Sequence, residues 1–146
     1  MPSTQLVTDT ADVPYNLGRF LAVLEALQDK AHEYQLDGAG VIERYYGTAS
    51  SAPGSVFPLL CRLARHHLRK LEKQGEKGRR DSRFIEIEIQ TILAKIKPDA
   101  VSIGEPPRFP RVLNLEQQGR FALGFYQQKA HTAQAIADAK TNRDKN

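Results

Sequence analysis

Apolar residues recur at Leu17, Phe20, Leu21, Leu24, Leu27 and Ala31, a spacing of three and four that puts them on one face of a helix. The pattern predicts a helix from near Pro14, stopped at Asp37-Gly38, where glycine takes the left-handed C-cap at low cost. Val41 to Tyr46 reads as a short helix ended by Gly47, and TASSAPGSV (48–56) as a small, polar loop. Val56, Leu60, Leu63/Ala64, His67/Leu68 and Leu71 mark the buried stripe of the next helix. Pro53 and Pro58 are expected in its first turn, where a missing N–H does no harm. Gln74-Gly75 and Lys77-Gly78 mark a glycine-containing connection.

FIEIEIQTILAKIK (84–97) alternates like a strand at its start, yet Ile85, Ile89, Ile92, Leu93 and Ile96 fit a helical face over its full length. No second strand is evident for it to pair with, so the segment is predicted helical, ending at Pro98. GEPPRFPR (104–111) reads as a linker lying against the surface. Asn114 with Gln117 resembles a capping box and opens a last helix through Leu115, Phe121, Ala122, Phe125 and Tyr126. Gly119 and Gly124 lower helix propensity there, which suggests close helix approach. The expected fold is all-α, a bundle of four longer helices and one short helix. A flexible lead-in (1–13), one domain (14–130) and a frayed tail (131–146) complete it.

Composition narrows the class. At 146 residues and 40% hydrophobic the chain suits one ordinary domain. No apolar run approaches a bilayer span, and the first twenty residues lack a basic start followed by an apolar block. A single cysteine excludes an internal disulfide, which makes a reducing cytoplasm the expected compartment.

Charge is the uneven feature. CRLARHHLRKLEKQGEKGRR (61–80) carries eight Lys/Arg against Glu72 and Glu76, a local +6 in a chain of +4, so the remainder is net negative. Arg62, Arg65, Arg69 and Lys73 form one helical stripe. His66, Lys70, Lys73 and Lys77 form an adjacent one, and Arg79, Arg80 and Arg83 carry the patch into the next helix. A plain solvated face would also be basic, but few acids are available here to balance it. Such a row tracks phosphates without reading base sequence. Tyr45 and Tyr46 lie near this patch in sequence, and bundle packing is preferred to base stacking for them.

Catalytic and metal readings are weaker. His66 and His67 are adjacent, so on a helix they point about 100° apart and cannot easily share one ion. Zinc needs three or four ligands at workable spacing, and Cys61 is too far along the chain to complete a set. With Leu59 and Leu63 two residues away on either side, it reads as a packing residue. Ser50, Ser51 and Ser55 lack a nucleophile-elbow context, and no phosphate-cradling glycine loop is present. Glu86 and Glu88 read as a solvated face within an isoleucine run. No enzyme, metal or cofactor is expected.

Three blocks also carry a family resemblance: YNLGRFLAVLEALQ (15–28), ERYYGTASSAPGSVFPLLCRLARHHLRKLEK (43–73) and LNLEQQGRFALGFYQQK (113–129). In order and separation they resemble the C-terminal region of the large subunit of type I-C CRISPR surveillance complexes, called Cascade. The resemblance implies that this region is also made as a separate chain from an internal start, giving the small subunit. It further implies a non-catalytic cytoplasmic helical bundle, present in more than one copy, with no membrane role. Its implied partners are the large and backbone subunits, guide RNA, target DNA and the displaced non-target strand. The candidate nucleic-acid-binding residues are the basic set read above from charge and spacing, Arg62, Arg65, Arg69, Lys70, Lys73, Lys77, Arg79, Arg80 and Arg83, and the resemblance implies that they face a sugar-phosphate backbone. Guide pairing would supply sequence specificity, leaving the protein to bind backbone.

Two other classes fit the residues alone. A structural helical adaptor would bind protein subunits without touching nucleic acid. A helix-turn-helix regulator would need a compact recognition unit, which the pattern lacks.

Overall fold

The computed structural model describes residues 5–33, 41–96 and 109–144. Five helices follow in order: α1 (Val13–Glu33), α2 (Val41–Ser51), α3 (Pro53–Glu72), α4 (Gly75–Ile96) and α5 (Leu115–Asp144). The all-α expectation holds, and 84–96 is helical throughout, as its isoleucine spacing predicted. The predicted stops at Asp37-Gly38 and Pro98 lie outside the described residues.

α1 is the centre of the bundle and packs on all four other helices. Its predicted stripe is buried, with Leu17, Leu21, Leu27 and Ala31 fully sequestered. So is every other residue from Pro14 to Leu24, including Gly18, Asn16 and Arg19. This stretch is surrounded on all sides and has no polar face, so its polar groups must find partners inside. Arg19 donates through Nε to Gln128 Oε1 (3.0 Å) and through Nη1 to Asn16 Oδ1 (3.1 Å). Asn16 Nδ2 donates to the Thr10 carbonyl at 2.9 Å. Tyr15 donates its hydroxyl to Gln127 Oε1 and accepts from the Val7 amide. These bonds tie residues 7–10 and α5 onto α1.

The α1–α5 contact is glycine-dependent. A Cβ on Gly18 would meet the Phe121 carbonyl oxygen at 2.0 Å, and one on Gly124 would meet the Tyr15 carbonyl oxygen at 2.0 Å. Gly124 therefore marks close helix approach, as its cost to helix propensity suggested. Gly119 does not: it is exposed, and an added Cβ would meet nothing within 4 Å.

Three boundaries differ from expectation. α2 continues past Gly47 to Ser51, taking in half of the segment read as a loop. Ser50 and Ser51 donate their hydroxyls back to the Gly47 carbonyl, and Ala49 is fully buried, so short side chains serve packing here. The break is Ala52 alone (φ −140°, ψ 67°), forced from helical geometry by Pro53. Pro58 falls in the second turn of α3, not the first, with its ring exposed. Lys77-Gly78 lies within α4 and not in the connection, which is reduced to a turn at Gly75 (φ +81°). α5 runs on past Ala130 to Asp144, an extension that the alanine-rich segment after Ala130 allowed.

The capping box forms as predicted: Gln117 N donates to Asn114 Oδ1 and Asn114 N donates to Gln117 Oε1, each at 2.8 Å. Phe109, in the segment read as a surface linker, stacks on Phe57 and Phe20 at 5.3 and 6.4 Å and joins the core rim. No helix among the described residues is long and apolar enough to cross a membrane.

Candidate nucleic-acid interface

The basic segment occupies one helical hairpin. α3 ends at Glu72 and the chain reverses at Gly75, whose left-handed φ a side chain would strain. α4 then returns against α3. Gly78 sits over the Leu71 carbonyl, where a Cβ would come within 2.2 Å, and Ser82 donates its hydroxyl to the Leu68 carbonyl at 3.2 Å. This antiparallel register places Arg79, Arg80 and Arg83 level with the His67–Leu71 stretch of α3. A charge run that is linear in sequence is thus folded back on itself, which concentrates it at one end of the bundle.

The inner face of α3 is Val56, Phe57, Leu60, Ala64, His67 and Leu71, all buried, with Leu63 and Leu68 partly so. Arg62, Arg65, Arg69 and Lys73 lie opposite and exposed, as one stripe. Lys70 is half-buried at its edge. Lys77 is exposed but belongs to α4, so the second stripe foreseen through His66, Lys70, Lys73 and Lys77 is broken by the turn. Arg79, Arg80 and Arg83 are exposed on α4. Among the described residues, Arg62, Arg65, Arg69, Lys73, Arg79, Arg80 and Arg83 make no ion pair. Their charge is left to solvent and to whatever docks there.

The histidine pair divides as helix geometry requires. His67 is buried and His66 exposed, with ring centroids 6.2 Å apart and tilted by 50°. Burial pushes the Cys61 thiol up to about 11, which Arg65 only partly opposes, so the group is a protonated packing residue near neutral pH. Tyr46 packs edge-on against Phe121 and Phe125 at 5.6 and 5.0 Å, as bundle packing rather than stacking predicted.

Sequence reasoning missed the surface apolar residues of α4. Phe84 is 57% and Ile87 58% exposed, whereas Ile85, Ile89, Ile92 and Ile96 are buried. The signal was present: in FIEIEI, Phe84 and Ile87 fall off the three-four stripe that buries the other isoleucines. Arg80, Phe84 and Ile87 share one face of α4, one turn apart. Outside this hairpin, Leu115, Leu123 and Tyr126 are exposed on α5.

No curated protein matches the chain. A family model described as CRISPR-associated protein (Cas_Csd1) matches residues 2–133, which takes in the basic hairpin and nearly all of the five helices. The chain therefore belongs to the CRISPR-associated Cas_Csd1 family.

Proposed function

We propose that this chain is the non-catalytic small subunit of a type I-C Cascade complex. It binds nucleic-acid backbone to steady the guide RNA–target DNA hybrid and the displaced strand. One observation carries the reading: a single helical hairpin presents seven basic side chains that form no ion pair among the described residues. Such a surface binds phosphates through counterion release and reads no sequence, as a complex with guide RNA requires. Large subunit, backbone subunits, guide RNA and both target strands are the partners in this reading, with more than one copy per complex.

Charge reversal at Arg62, Arg65 and Arg69 tests it. The assembled complex should bind target more weakly at low salt. The salt slope for single strands should fall by roughly 2, at about 0.7 for each phosphate no longer neutralised. Far-ultraviolet helicity should stay unchanged, because all three side chains are exposed. Unchanged target affinity refutes the assignment of the patch. Failure of the chain to enter a guide-RNA-containing assembly, in a pull-down with the other subunits, refutes the complex itself.

A second reading, a structural adaptor without nucleic-acid contact, draws on the exposed Leu115, Leu123 and Tyr126 of α5. It requires entry into the assembly together with insensitivity to the charge reversal.

A further inference from the structure

α4 and α5 both pack on α1, yet among the described residues they do not pack on each other. A cleft therefore opens between them. Val23 and Ala26 of α1 lie in it, with Phe84 and Glu88 from α4 and His131 from α5. Most of its lining is apolar. Phe84 is more than half exposed here, on a helix whose core-facing residues are buried. Arg80 stands one turn before Phe84 on the same face, exposed and without an ion pair among the described residues, and Arg79 and Arg83 flank it.

The chemistry separates into two zones. The cleft has an apolar surface, two aromatic rings and the Glu88 carboxylate. Glu88 interacts with the buried Arg19 guanidinium, so the cleft offers no uncompensated positive charge to a phosphate, whereas a flat, neutral ring with hydrogen-bond donors on its edge needs none. The arginines outside demand anions. One polymer carries both parts at short range, an unpaired nucleic-acid strand, whose bases are planar and neutral and whose linkages are anionic. In a duplex the bases are already stacked and paired, so the cleft suits single strands.

We infer that the α4–α5 cleft is a base-stacking site for single-stranded nucleic acid, with Phe84 as the stacking platform and Arg80 holding the adjacent phosphate. This deepens the phosphate-binding reading proposed above and rests on it. The site tolerates any base, because every base offers a ring face to the Phe84 ring.

The test uses the full chain at low salt with two labelled probes of equal length, single-stranded oligodeoxyadenylate and an abasic strand. Phe84→Ala should weaken binding of the oligodeoxyadenylate about 5- to 10-fold. It should leave the abasic strand unaffected, with helicity retained. Arg80→Glu should weaken both. The chain contains no tryptophan, so Phe84→Trp supplies a single indole whose emission reports stacking directly. That emission should be quenched by oligodeoxyadenylate and not by the abasic strand. Equal loss on both probes with Phe84→Ala, no loss on either, or unquenched emission overturns stacking while leaving phosphate binding standing. If reversing Arg79, Arg80 and Arg83 together changes neither affinity, these arginines hold no phosphate and the inference falls, whereas the patch as a whole fails only if reversal of Arg62, Arg65 and Arg69 is also silent. Binding of polyglutamate at the indole in place of oligonucleotide overturns it in favour of an acidic protein partner.

Discussion

Gly124 and Gly119 lie five residues apart on α5, and the same substitution should move stability in opposite directions at the two. At Gly124 an alanine Cβ would sit 2.0 Å from the Tyr15 carbonyl oxygen, 2.9 Å from its carbon and 3.2 Å from the Tyr15 Cα. All three are backbone atoms, so no rotamer change relieves the overlap. Ordinary contact begins near 3.4 Å, so α1 and α5 must part locally by more than about 1 Å. A gap of that size forfeits up to about half of the dispersion attraction wherever it opens, around Leu17, Phe121 and Phe125. Overpacking costs about 1–3 kcal/mol, and a clash with backbone belongs at the upper end. Alanine returns about 1 kcal/mol of helix propensity, leaving a net destabilisation of about 2 kcal/mol. At Gly119 only the propensity gain operates, because nothing lies within 4 Å. Thermal melts followed by circular dichroism should therefore show Gly124→Ala lowering Tm by about 4–8 °C and Gly119→Ala raising it by about 2–4 °C. Shifts of the same sign would refute the close α1–α5 approach on which the core is built.

Local chemistry sets two further outcomes. Asn114→Ala removes the side-chain acceptor for the Gln117 amide at the start of α5 and should cost about 1 kcal/mol, measured by urea denaturation. Cys61 titrates near 11 when folded, against 9.0 for an unperturbed thiol, so between these pH values the unfolded chain binds fewer protons and stability falls as pH rises. Cys61→Ala should flatten that part of the profile, separating it from Tyr46, whose phenol burial also pushes up. In the wild-type chain, alkylation at pH 8 should run roughly 100-fold slower in the folded than in the urea-unfolded state.

The basic row, the core stripes and the capping box were legible because each depends on residues within a turn or two of one another. Arg62, Arg65, Arg69 and Lys73 share a face whatever the rest of the molecule does. The end of α2 was not legible, since Thr48-Ala49-Ser50-Ser51 has the composition of a loop. Its helix depends on burial of Ala49 and on hydroxyls returning to the Gly47 carbonyl. Gly119 and Gly124 are identical in type and similar in surroundings, and only the position of α1 separates them.

The sequence by itself determined the helical class and which side of α3 faces out, because periodicity is a local property of an L-polypeptide. It also carried the family, through side chains at fixed separations. Tertiary structure alone decided that α1 is enclosed on every side from Pro14 to Leu24, that the turn at Gly75 folds one charge run into two adjacent layers, and that Phe84 stands beside Arg80 at an open cleft. Those features depend on which helices meet across long stretches of chain, and residue spacing holds no record of that.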